Sequence, residues 1–405
     1  ADCGIMITAS HNPNDQNGIK LFSPYRGMKP LPSDDSRLTR FILSQKYSAI
    51  KNVSLKGKRK DCRGNALELF SGFTLAPENS WIDESINFKN VVLVVDPTNG
   101  SLTGIAKKIF TQAGVGKVFE VNGKLNGDVN VFSGVADLEG RDRITAEQIK
   151  NPGGYFYRHK AVVKLFEVGR KHKSSLRKGI MRAVATIFDA DADRFFMLEY
   201  DPFKDLLWVL SGDETAILQA KHLSTQFPEK YKGSLYINTV ESDLNAAIAA
   251  EKMGLKSELT AVGDKWILLK ILLRQLEQKS KDRDCPKQKR LVFQREAKKM
   301  KKTGITSIAS LKKLARILGE KSGQKKDANP ILAVGSEETG HNITESQFIR
   351  PDGEAVSIYS GNGIKSALNT LVATEYLNFS PKKYYNKISR PFVRGFKGTL
   401  YVYYI

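Results

Sequence analysis

Apolar β-branched runs and helical apolar stripes alternate along this chain, and that alternation limits it to one fold class. Val91–Val95 is followed by the turn residues Asp96-Pro97-Thr98-Asn99-Gly100 and then by Leu102–Ala113, whose apolar residues recur at helical spacing. Strands are predicted again at Ala183–Phe188, Phe195–Leu198, Ser234–Ile237 and Ile331–Val334. Helices are predicted at Asp213–Phe227, Asp243–Met253, Lys265–Leu276 and Ile364–Leu377. Strands separated by helices predict an α/β protein with parallel sheets, whose ligands lie at the carboxyl ends of the strands. With 405 residues the chain has room for several domains.

No run approaches the roughly 18 apolar residues of a membrane span, so no membrane partner is expected. The chain holds 64 Lys and Arg against 43 Asp and Glu, a formal charge of +21. Much of the excess lies in Gln278–Asn329, for example Lys287-Gln288-Lys289-Arg290 and Lys298-Lys299-Met300-Lys301-Lys302. The first reading of that segment is a solvated or flexible surface insertion; contact with nucleic acid or another polyanion is the second. Phe293 is its only aromatic residue, which counts against stacking on single strands. Cys3, Cys62 and Cys285 are widely spaced with no C-x-x-C pair. Neither a disulfide framework nor a zinc ribbon follows, and a reducing, cytoplasmic setting is expected. The chain opens on Ala1 with a loop motif a few residues later, and reads as a piece of a longer protein.

Four motifs carry candidate chemistry. In Thr8-Ala9-Ser10-His11-Asn12-Pro13, continued by Asn17-Gly18-Ile19-Lys20, an apolar run delivers a serine into a tight polar loop. Such a serine can carry a phosphoryl group if a cation and N–H donors surround it; an ordinary Ser/Asn/Pro turn is the plain alternative. Asp189-Ala190-Asp191-Ala192-Asp193-Arg194 follows a buried-type strand. Carboxylates at alternate positions can wrap one hard cation, and oxygen ligands of this kind suit Mg²⁺ bound together with phosphate. An EF-hand starting at Asp189 would need Gly and Glu where the chain has Arg194 and Tyr200. A phosphatase with Asp189 as nucleophile leaves the serine loop unexplained. The third motif is Gly335-Ser336-Glu337-Glu338-Thr339-Gly340-His341, whose short polar side chains at a strand end can grip sugar hydroxyls. The fourth, Val262-Gly263-Asp264-Lys265, opens a helix, where N–H groups and a lysine can meet a phosphate.

In this order the motifs resemble those of the α-D-phosphohexomutase family, the phosphoglucomutase/phosphomannomutase superfamily, from Gly4 to about Leu377. The resemblance implies consecutive mixed/parallel-sheet α/β domains around a central cleft, with a truncated C-terminal α+β domain. Their expected bounds are 1–80, 81–205, 206–380 (with the basic insertion at about 278–329) and a truncated 381–405. It implies that Ser10 is the phosphorylated residue, and that Asp189, Asp191 and Asp193 hold one Mg²⁺ with the Ser10 phosphate. Lys20 matches a general base, Arg194 a catalytic arginine and His341 the histidine of the sugar loop. Glu337 and Thr339 match the pair that reads sugar hydroxyls; His11 and Lys265 match substrate contacts. The implied reaction interconverts hexose 1-phosphate and hexose 6-phosphate through a hexose 1,6-bisphosphate. The third motif is more similar to phosphomannomutase/phosphoglucomutase and phosphoglucosamine mutase loops than to those of dedicated phosphoglucomutases, and the T-A-S-H-N-P start favours glucose or mannose phosphate over glucosamine phosphate. The rival of another class is a non-catalytic phosphosugar- or polyanion-binding protein. Ala190 stands where the family usually has Gly, and a β-methyl there is expected to be strained if φ is positive. The opening of the first domain and the R-x-S-x-T-E-type phosphate loop of the fourth are not found in the chain.

Overall fold

Val91–Asp96 pairs on both sides and is buried along its whole length, as a continuous apolar run in a central strand must be. It is one of thirteen strands in a computed structural model that describes residues 3–8, 10–23, 29–48, 57–303, 307–310, 312, 330–350, 353, 355–377 and 379–395. The chain divides into two compact units. The smaller comprises Ala1–Ile7, Ile19–Ser71 and Leu268–Ala328; the larger comprises Thr8–Gly18, Gly72–Ile267 and Asn329–Ile405.

In the smaller unit, β1 (Gly4–Thr8) and β2 (Gly18–Phe22) form a two-stranded sheet whose Ile5, Ile7 and Ile19 are exposed. The helix Pro32–Ser44 buries no residue. Part of the basic segment is helical, with the solvated basic face that its first reading expects. The helix Asp264–Lys281 runs into it, and a second helix, Lys287–Thr303, buries Phe293 and Ala297 while its lysines stay at the surface. Apolar residues four apart give that helix one face to bury, a stripe that the surrounding charge hides from a composition-based reading. Residues 304–306, 311 and 313–329 of the insertion, and most of the helix-compatible stretch Ile308–Leu318, lie outside the described residues.

The larger unit holds two mixed sheets, so the class is α/β as the alternation predicts. The first has β3 (Val91–Asp96), β4 (Lys117–Glu120), β5 (Arg143–Thr145), β6 (Arg182–Phe188), β7 (Phe195–Asp201) and β8 (Leu206–Leu210) in the order β4-β3-β6-β7-β8-β5. The pairs β3–β4 and β3–β6 are parallel, whereas β6–β7, β7–β8 and β8–β5 are antiparallel. The sheet is therefore mixed, within the mixed/parallel-sheet class that the resemblance implies. Residues 189–194 and 202–205 are too short to carry a crossover, so β7 and β8 can only return antiparallel. The helix Lys160–Lys171 seals one face of this sheet with Val162, Leu165 and Phe166, which pack into one core with Ala185, Leu198 and Tyr200. The second sheet has β9 (Leu235–Thr239), β10 (Lys256–Thr260), β11 (Leu332–Ser336), β12 (Asn342–Ile349) and β13 (Ala355–Gly361) in the order β10-β9-β11-β12-β13. Its helices include Gly212–Gln226, begun by a Ser211/Glu214 capping box, and the almost wholly buried Gly363–Glu375. In the segment expected to start a fourth domain, Pro381–Ile388 is helical and 396–405 lie outside the described residues. Among the described residues no helix is long and apolar enough to cross a membrane.

Candidate active site

Asp189–Arg194 is the tight turn from β6 into β7, at the carboxyl end of a buried strand. The Ala192 N–H donates to the Asp189 carbonyl at 3.2 Å. The left-handed residue of the turn is Ala192, with φ 63°, and not Ala190, so the strain expected at Ala190 sits two residues later. The turn brings oxygens of Asp189, Asp191 and Asp193 within 4.8 Å of one another. Asp189 is buried and the other two are half-buried. Burial, then the Asp193 and Asp191 charges, push the Asp189 carboxyl well above its ordinary range. Arg194 offsets part of this. Its Nε lies 3.9 Å from Asp189 Oδ2 and 3.8 Å from Asp193 Oδ1, and its backbone N–H donates to Asp189 Oδ1 at 3.2 Å.

Ser10 meets this turn. Its hydroxyl donates to Asp189 Oδ2 at 3.2 Å and its carbonyl accepts the Ala190 N–H at 3.1 Å. The Ser10 N–H donates to Thr8 Oγ1 at 2.8 Å, which closes the loop on itself. Ala9 lies outside the described residues. His11 places Nδ1 3.0 Å from Arg194 Nη1, so the guanidinium touches the serine loop and approaches the carboxylates.

The third motif closes on the same turn. Glu337 is buried; its Oε1 accepts the Gly263 N–H at 2.8 Å and its Oε2 lies 3.1 Å from His341 Nδ1. Burial works to raise the Glu337 pKa, but the His341 hydrogen bond and charge, then Arg194, outweigh it and hold the carboxyl below its usual value. Burial works to lower His341, yet Asp193, the Glu337 hydrogen bond and Asp264 raise it to about 9. The Phe195 N–H donates to the Gly340 carbonyl at 3.2 Å. A Cβ on Gly340, which has φ 95°, would stand 2.5 Å from the Phe195 carbonyl oxygen, so only glycine lets the two loops touch. A Cβ on Gly212 would likewise strike the Glu337 carbonyl.

Thus Ser10, His11, Asp189, Asp191, Asp193 and Arg194 come together, and Gly263 and Gly340 join the third and fourth motifs to them. Thr339 is half-buried in that loop. Lys265 is half-buried behind Gly263, its ammonium 5.7 Å from the centre of the Trp266 ring. Lys20 lies on β2. Three groups escaped the sequence reading. Asn130 donates its amide to the carbonyls of Ser10 and Asn12, at 2.8 Å each. Glu139 and Glu241 both interact with Arg194, burial raising each carboxyl and Arg194 lowering it. The one available signal was the turn after β3, whose Thr98 hydroxyl bonds to Asn130.

Two stretches of the chain match models of known families. Residues 1–48 match a family model described as phosphoglucomutase/phosphomannomutase, alpha/beta/alpha domain I, and residues 211–276 match the corresponding domain III. In these two stretches the chain is similar to the phosphoglucomutase/phosphomannomutase family. Two curated relatives are phosphoglucosamine mutases. That of Caldicellulosiruptor saccharolyticus is 26% identical over 275 residues, 67% of this chain and 50% of the relative. That of Actinobacillus succinogenes is 27% identical over 277 residues, with the same coverage of 67% and 50%. The chain therefore spans about half the length of the curated relatives it matches. Among solved structures, a phosphoglucomutase/phosphomannomutase family protein from Burkholderia thailandensis shares the fold, with a TM-score of 0.53 and 15% identity over 95% of this chain and 58% of that one. An N-acetylglucosamine-phosphate mutase in its substrate complex has a TM-score of 0.51 and 13% identity over 97% and 74%.

The donor set of this turn fits a magnesium ion. Three carboxylates gather oxygens within 4.8 Å of one another in a mostly buried turn, beside the Arg194 guanidinium. All donors are hard oxygens, the Ser10 hydroxyl included. Asp189, Asp191 and Asp193 would hold the ion, and it would supply neutralising charge to a phosphoryl group on Ser10.

Proposed function

We propose that the chain carries the phosphoserine centre of a hexosamine-phosphate mutase, which moves a phosphoryl group between the 1- and 6-oxygens of the sugar. The observation that carries the reading is the Ser10 hydroxyl on Asp189, at 3.2 Å, beside the other two carboxylates. Phospho-Ser10 donates to one oxygen of the bound monophosphate, a 1,6-bisphosphate forms, and the other phosphate returns to Ser10. Such transfer depends on positioning and charge neutralisation more than on covalent chemistry. Arg194 and His11 face the phosphoryl group. Glu337 and Thr339 accept from sugar hydroxyls, cationic His341 donates, and Lys265 meets the distal phosphate.

The sugar was expected to be glucose or mannose. The curated relatives, named for glucosamine, favour the amino sugar. The test is to supply the 405-residue chain with Mg²⁺, a trace of bisphosphate and glucosamine, glucose or mannose 1-phosphate, and to follow 6-phosphate formation by NMR. Glucosamine phosphate turns over fastest and Ser10→Ala is inactive. Turnover by Ser10→Ala would remove the reading, and a preference for glucose or mannose would correct the sugar.

A further inference from the structure

Backbone strain in this protein is concentrated around Ser10. Among the described residues nine non-glycine residues have positive φ, and seven of them lie in the loops that meet the serine. Ser10 (φ 49°) and Ala192 (φ 63°) are two; Thr98, Asn99, Asn122, Asn130 and Phe132 belong to the stretch between β3 and β5. A β-branched residue such as Thr98 rarely enters this region, so something must hold it there.

The holding groups form a chain of hydrogen bonds. It starts at Asp96, the buried last residue of β3, whose Oδ1 accepts the Thr98 N–H at 2.9 Å and whose Oδ2 accepts from Asn122 Nδ2 at 3.0 Å. Thr98 Oγ1 accepts the Asn130 N–H at 3.1 Å, faces Asn130 Oδ1 at 3.3 Å and meets Ser133 Oγ at 2.7 Å. With its oxygen turned to Thr98, the Asn130 amide points its nitrogen at the serine loop, where the Ser10 and Asn12 carbonyls accept at 2.8 Å each. Two carbonyls two residues apart, held by one amide, fix the plane of the Ser10–His11 peptide. The Ala190 N–H pins the Ser10 carbonyl from the other side at 3.1 Å.

We infer that Asn130 is a positioning residue, whose amide, aligned by Thr98, holds Ser10 in its left-handed conformation and so aims the Ser10 hydroxyl at Asp189. Without it Ser10 relaxes toward the ordinary extended region, and the hydroxyl and carbonyl swing off the Asp189–Arg194 turn. The structural claim stands on the bonds above; its catalytic consequence rests on the proposed phosphoserine function.

The test uses the full chain with Asn130→Gly, which accepts the backbone conformation but lacks the amide, and Asn130→Asp, which keeps the shape but turns oxygens toward both carbonyls. Amide hydrogen exchange of metal-free protein is read at Ala190 and through β6. Exchange at Ala190 quickens by about tenfold or more in both variants while β6 keeps its protection. Phosphate uptake by Ser10 from a hexose 1,6-bisphosphate with Mg²⁺ slows by about tenfold to a hundredfold, with the half-saturating concentration within about twofold of the original. Unchanged exchange at Ala190 overturns the inference. Loss of protection through β6 as well, or global unfolding of both variants, overturns it in favour of a purely structural residue. If the unaltered chain takes up no phosphate, the mutase reading fails, while the exchange result still decides the role of Asn130.

Discussion

The Asp189–Arg194 turn sets three carboxylates against one guanidinium, whereas the Glu337–His341 loop pairs one carboxylate with one imidazole at 3.1 Å. Both are loops at carboxyl ends of buried strands, and the Gly340–Phe195 hydrogen bond joins them. The first gathers hard oxygen ligands of the kind that suit a cation and strains its backbone at Ala192. The second balances its own charge and places its positive φ on a glycine. On the proposed function, the first loop changes its charge during turnover, while the second stays fixed and reads sugar hydroxyls.

The largest expected effect separates the loops outright. Ser10→Ala loses phosphate uptake and turnover altogether, while Mg²⁺ binding, followed by calorimetry, stays within about tenfold because the three carboxylates remain. Equal loss of Mg²⁺ binding would mean that the Ser10 hydroxyl, rather than the three carboxylates, chiefly holds the ion. Next, Asp191→Asn weakens Mg²⁺ binding by about tenfold or more. Saturation at about one hundred times Kd stabilises the unaltered chain by about 2.7 kcal/mol, and the variant gains far less at the same concentration. Glu337→Gln should leave this Mg²⁺-dependent shift in melting temperature intact.

Gly340→Ala attacks the junction of the two loops. The added Cβ would meet the Phe195 oxygen at 2.5 Å with φ at 95°, and the cost expected in denaturant unfolding is about 1–3 kcal/mol. The smallest effect concerns pH. The His341 pKa is raised from 6.5 to about 9, so its stabilising contribution is complete below about pH 6.5 and is lost as pH rises through about 9. In Glu337→Gln the NMR titration of His341 shifts downward, and the alkaline fall in stability flattens. An unmoved titration would deny that Glu337 is its partner.

Much of this was legible before any coordinates. Val91–Val95 and Ala183–Phe188 are β-branched or apolar runs that have little choice but to be central strands, and S-H-N-P and D-A-D-A-D-R are spaced for their chemistry within single loops. The short hairpin from β6 through β8 was not, because a six-residue turn and a crossover look alike until the partner strand is known. Leu206–Leu210 and Ala355–Gly361 were passed over for the same reason: strand formation depends on neighbours more than on the segment itself. Asn130 was hidden more deeply. It lies 120 residues from Ser10 in a stretch of turns, and only the fold makes its amide a partner of the serine loop. The left-handed residue was misplaced by two positions because D-A-D-A-D reads alike at Ala190 and Ala192, and only hydrogen bonding within the turn distinguishes them.

The most direct test of a shared serine–carboxylate centre is the site of phosphate after incubation of the chain with a hexose 1,6-bisphosphate, located by peptide mass spectrometry with and without Mg²⁺. One phosphate on Ser10, present with Mg²⁺ and absent both without it and in Asp191→Asn, is the predicted result. Phosphate on another residue, or on Ser10 regardless of the ion and the carboxylate, would contradict it.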